Sequence, residues 1–119
     1  MDMELASTDA EILERHDPGT RARCRMELSI VNSILARMGS EGYTATIPEY
    51  DGEPTPDLKA ALFNLDEAHL VLRKNGQRCG WIYLVFGNSG WDLISDYTTN
   101  LERFLKPVLD LSDELERGC

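Results

Sequence analysis

Side chains able to act as acids, bases, nucleophiles or metal ligands are scarce in this chain, and their spacing speaks against each familiar use. Neither of the two histidines, His16 and His69, is followed by a second histidine or a carboxylate at ligand spacing, so no metal site is expected. The three cysteines, Cys24, Cys79 and Cys119, are scattered with no C-x-x-C pair; Cys24 and Cys79 read as small buried hydrophobes. Asp92 and Asp96 would share one face of a strand, but at that spacing their Cα atoms stand roughly 13 Å apart. A glycosidase pair needs its carboxyls within roughly 5–10 Å, so these two do not supply one. Ser89, in Gly87-Asn88-Ser89-Gly90, lacks both the strand-to-helix turn and the downstream histidine of a hydrolase elbow. No Gly-Lys-Ser/Thr follows to make a phosphate loop. Asp96, Tyr97, Thr98, Thr99 and Asn100 are dense in polar groups, for which helix capping by Thr98 or Thr99 is the expected use. The alternative is a small-ligand or partner site formed by Asp92, Asp96, Tyr97 and Asn100 at the helix N-terminus. No enzyme, metal or cofactor is expected.

The elements that would carry these residues follow from periodicity. Thr8 and Glu11 have capping-box spacing for a short helix from Asp9 to about His16, within a peripheral segment 1–19. With only Ile12 and Leu13 to bury, that helix should be marginal unless it docks. A single domain is expected over 20–117. It opens with an amphipathic helix from Thr20 to Met38, through Cys24, Leu28, Val31, Leu35 and Met38, with Gly39 as its left-handed cap. Tyr43–Ile47 reads as a short strand stopped by Pro48, and Thr55-Pro56 as the start of a helix ending near Asn64. His69–Lys74, the turn Asn75-Gly76, Cys79–Phe86 and Trp91–Tyr97 read as a meander, its middle strand apolar on both faces. A final helix spans Thr99–Arg117, with Pro107 inside it. The expected class is α+β: an antiparallel sheet of three or four strands with helices packed on one face.

Charge narrows the partners. The balance of 12 basic against 21 acidic residues, net −9, repels nucleic acid and anionic membranes and suits a partner with a basic surface. The excess is uneven: Arg15, Arg21, Arg23 and Arg25 form a basic island, whereas acids crowd Glu41–Glu67 and the segment after Asp92. No run approaches the roughly 18 apolar residues of a bilayer span, and no export signal is read, so a cytoplasmic location is expected. Trp81, Tyr83 and Trp91 lie on two strands expected to pair. If helices cover one sheet face, the other would leave some of Trp81, Tyr83 and Val85, or of Ile82, Leu84 and Phe86, uncovered, an aromatic patch suited to a homodimer or a docked partner. Glu49, Asp51, Glu53 and Asp57 would form an acidic rim, with Asp110–Glu116 a second.

Phe63-Asn64-Leu65-Asp66-Glu67, Gly80-Trp81-Ile82 and the string Val85-Phe86-Gly87-Asn88-Ser89-Gly90-Trp91-Asp92-Leu93-Ile94-Ser95-Asp96-Tyr97-Thr98-Thr99-Asn100-Leu101-Glu102 resemble a set of small acidic proteins encoded by phages, prophages and their bacterial hosts. The resemblance covers a little under half of the chain, leaves out the arginine island and brings no catalytic residue. It implies a phage or mobile-element protein that binds and modulates a host protein, with inhibition of a nucleic-acid-targeting defence complex such as CRISPR as one form.

Overall fold

A computed structural model describes residues 8–51 and 57–118. Helix α1 is Asp9–Glu14, and its capping box is complete: Thr8 Oγ1 accepts from Glu11 N at 3.2 Å, while Glu11 accepts from Thr8 N at 2.8 Å. Six residues are too few to hold a helix in water, and docking supplies the rest. Ile12 is fully buried against Cys24 and Leu28, a burial that contributes about 1.5–3 kcal/mol. Asp9 receives Lys59 Nζ at 2.7 Å and Asn32 Nδ2 at 3.0 Å, tying α1 to the two helices that follow.

Helix α2 runs from Arg21 to Glu41 and buries Cys24, Leu28, Ile30, Val31, Ile34 and Met38. It passes the expected stop at Gly39. Nothing at Gly39 forces the backbone to turn, and the left-handed cap falls at Gly42 with φ 80°. Strand β1, Thr44–Thr46, then ends in a 3-10 turn at Pro48–Tyr50. Helix α3 is Leu58–Phe63. Its cap is Asp57, which accepts from Ala60 N at 3.1 Å; the expected start at Thr55-Pro56 lies outside the described residues, as does Cys119.

Strands β2 (Glu67–Lys74), β3 (Gln77–Val85) and β4 (Ile94–Tyr97) complete an antiparallel meander in the order β1-β2-β3-β4. Asn75 and Gly76 both take positive φ, 53° and 79°, as a two-residue hairpin requires. Central β3 does not bury both faces as expected. Gly80, Ile82 and Leu84 are buried while Trp81, Tyr83 and Val85 remain half-exposed, the alternation of a sheet covered on one side. Cys79, read as buried, is likewise half-exposed. The covered face, with Leu70, Leu72, Ile82 and Leu84, packs against Ile30 and Ile34 of α2 and, from the C-terminal helix, Leu105 and Val108. This is the α+β class read from the sequence.

The third strand of the expected meander is shorter than the sequence suggests. Residues 86–93 form a loop, so Trp91 and Asp92 lie off the sheet. A 3-10 turn at Thr99–Leu101 leads into helix α4, Glu102–Arg117. Neither Thr98 nor Thr99 caps it. Thr98 Oγ1 accepts instead from Trp81 N at 3.2 Å, packed so closely over β3 that a Cβ at Gly80 would collide with it and with Leu101. Pro107 has no N–H for the carbonyl one turn back; the next carbonyl, that of Phe104, accepts from Arg37 Nε at 2.6 Å, which holds α4 to α2.

Candidate functional site

Pairing places His69 opposite Tyr83 and Val71 opposite Trp81 on the uncovered face of the sheet. The His69 ring stacks on Tyr83 with centroids 4.7 Å apart and meets Trp81 edge-on at 6.1 Å. Beneath them Val71 is 6% exposed, so the aromatic cluster has an apolar floor. Acids border it. The Tyr83 hydroxyl donates to Glu67, and this bond to the carboxylate raises the phenol above its ordinary pKa. Asp96 lies opposite Tyr83 on β4.

Glu49 has a more specific place. β1 ends at Thr46, two residues before Pro48, which cannot donate to a ladder, and its pairing with β2 stops at Val71, short of His69. Glu49 fills the gap, one oxygen accepting from His69 N at 3.1 Å and the other from Nδ1 at 2.8 Å. Partial burial disfavours its charge, but the His69 bonds outweigh that and hold the carboxyl below its ordinary range. Of the other rim residues, Asp51 closes the 3-10 turn in a left-handed conformation, Asp57 caps α3, and Glu53 lies outside the described residues.

The structure does not gather Asp92, Asp96, Tyr97 and Asn100. Asp92 accepts from Ser89 N at 3.0 Å within the 86–93 loop, and Asp96 accepts from Tyr97 N at 2.8 Å. Asn100 donates to the Cys79 carbonyl at 2.6 Å, and Tyr97 packs against the core. Asp92 borders a hollow of about 210 Å³ between the loop and α4, with Trp91, Ile94, Leu109, Asp113 and Glu116. Asn100 borders a different one beside Arg37 and Tyr43. Trp91 therefore belongs to the α4 groove and stands apart from Trp81 and Tyr83.

Reading the sequence misses Glu27, which sits within the apolar stripe of α2 and is 1% exposed. One oxygen accepts from Gly87 N at 2.8 Å, and Arg23 Nε lies 3.9 Å away, buried and without a hydrogen-bond partner among the described residues. Burial raises the Glu27 pKa, against the opposing effects of the Gly87 bond and Arg23. Glu27 thus pins the 86–93 loop to α2. The sequence does carry a signal for it: a charge at a core position is either paired or functional. Nearby, His16 donates Nδ1–H to the Ile12 carbonyl at 3.0 Å, so this nitrogen is no base for Cys24, whose Sγ is 3.9 Å away. Burial pushes the Cys24 thiol up, the reverse of nucleophile activation.

Among the described residues no cluster of His, Cys, Asp or Glu has the arrangement to hold a metal ion, and no helix is long and apolar enough to cross a membrane. Comparison with protein families, curated proteins and solved structures finds no match to this chain.

Proposed function

We propose that this chain is a non-enzymatic binding protein of phage or mobile-element type, acting in the host cytoplasm. It docks on a host protein with a basic surface and modulates it, inhibition of a nucleic-acid-targeting defence complex such as CRISPR being the most specific form. The observation that carries the reading is the open sheet face: His69, Trp81 and Tyr83 on an apolar floor, bordered by Glu49, Glu67 and Asp96 in a chain of net charge −9. Aromatic groups with an apolar body and a polar edge dominate binding hot spots, and the acids steer a basic partner toward them. The phage context rests on the resemblance in 63–102. A second copy is a further candidate for this face, giving a homodimer.

The alternative of a small-ligand site or minor enzyme built on Asp92, Asp96, Tyr97 and Asn100 has less support, because the side chains of Asp92, Asp96 and Asn100 serve separate backbone groups and Tyr97 packs against the core. Retention of a host protein from bacterial lysate, compared between wild type and a Trp81→Ala, Tyr83→Ala double variant, tests the reading. A protein held by the wild type, released by salt and lost from the double variant supports it. Equal retention by both chains removes the sheet face from the mechanism.

A further inference from the structure

The groove between the 86–93 loop and α4 is a second aromatic and acidic surface, concave and separate from the sheet face. Leu109, Ser112, Asp113 and Glu116 follow one another at helical steps of three, one and three, which places them on a single stripe of α4. Opposite stand Trp91 and Ile94, so the hollow of about 210 Å³ has apolar and aromatic walls and carboxylates from both sides. Ser112 also lines the hollow. Lys106, on the same helix, is held by Asp110 at 2.7 Å.

We propose that this groove receives a lysine or arginine side chain of a partner protein, the cation lying against Trp91 and between Asp92, Asp113 and Glu116. Four features select that occupant. The indole face attracts a cation. The carboxylates reject anions. Ile94 and Leu109 suit the methylene stem of a long basic side chain. The volume is small for a drug-sized ligand, being below the roughly 300–1,000 Å³ usual for such sites. The inference deepens the reading of a basic partner but concerns a separate surface.

The test is an NMR titration of the whole chain with Nα-acetyl-arginine amide and Nα-acetyl-lysine amide, following the indole N–H signals. A Trp81→Phe variant assigns the Trp91 signal. The cationic probes should shift Trp91 saturably while the neutral Nα-acetyl-norleucine amide does not. Asp113→Asn and Glu116→Gln, both at exposed positions, should each weaken binding about two- to five-fold. Equal shifts with the norleucine probe, unsaturable shifts of both indoles, or indifference to both substitutions would overturn the proposal. Spermidine binding more than about tenfold tighter than either amino-acid probe would also overturn it, in favour of a free polyamine. Tyr83→Ala should leave probe binding intact, so failure of the sheet-face reading and failure of the groove can be told apart.

Discussion

The two faces of the β2–β3 hairpin are made from alternate residues of the same strands, yet different forces hold them. On the covered face Leu70, Leu72, Ile82 and Leu84 are all 0% exposed and pack with apolar residues of the helices. On the open face His69, Trp81 and Tyr83 keep water on one side, and His69 and Tyr83 satisfy their polar atoms with carboxylates. The covered face is therefore sensitive to volume, and the open face to charge and polar partnership. A sheet with one face given to the core leaves the other free to carry recognition at little cost in stability.

The largest loss is expected on the covered side. Leu84→Ala should cost about 2–5 kcal/mol, read as a lowered midpoint in urea unfolding, because a cavity opens in a close-packed core. A loss as small as that from Tyr83→Ala would mean that the two faces are not distinct.

Glu27 is next, since it is a charge placed on the covered side. Glu27→Ala should cost about 1–3 kcal/mol by leaving the Gly87 N–H and Arg23 without their partner. Glu27→Gln sharpens the point through pH. A carboxyl whose folded pKa is raised costs stability as pH climbs from the ordinary carboxylate range through the raised value. Wild type should lose stability over that window, and the glutamine variant should lack the loss.

The open side gives the smaller effects and the opposite sign. Glu49 is held below its ordinary value, so its contribution is present above the usual carboxylate pKa and disappears as acid protonates it in the folded state. Glu49→Gln should cost about 0.5–1.5 kcal/mol near neutral pH and flatten that acid limb, measured by unfolding at stepped pH. Smallest of all, Tyr83→Phe should change stability by less than about 0.5 kcal/mol, as exposed substitutions usually do.

Much of this arrangement is legible in the order of residues alone. The capping box at Thr8 and Glu11 and the Asn75-Gly76 hairpin are local, each decided by groups within four residues. Two differences between expectation and fold come from local ambiguity. Gly39 and Gly42 are both competent caps, and the helix continues to the one where the chain must turn toward β1. The run Trp81–Phe86 is apolar at every position, which conceals the alternation that separates Trp81 and Tyr83 from Ile82 and Leu84. Trp81 and Tyr83 fall on the open face of the sheet, one of the two outcomes the sequence left open. Trp91 does not, because the segment expected as strand from Trp91 onward begins pairing only at Ile94.

By itself the sequence determined the α+β class, the antiparallel meander and the acidic charge, because periodicity, turn chemistry and composition act at short range or as sums over the chain. Only the tertiary structure decided which side of β3 stays open, that Glu49 completes the ladder at His69, that Glu27 is buried beneath the 86–93 loop, and that Trp91 faces Asp113 and Glu116 across a groove. The last three join residues 20 or more apart, and all four depend on how the helices cover the sheet.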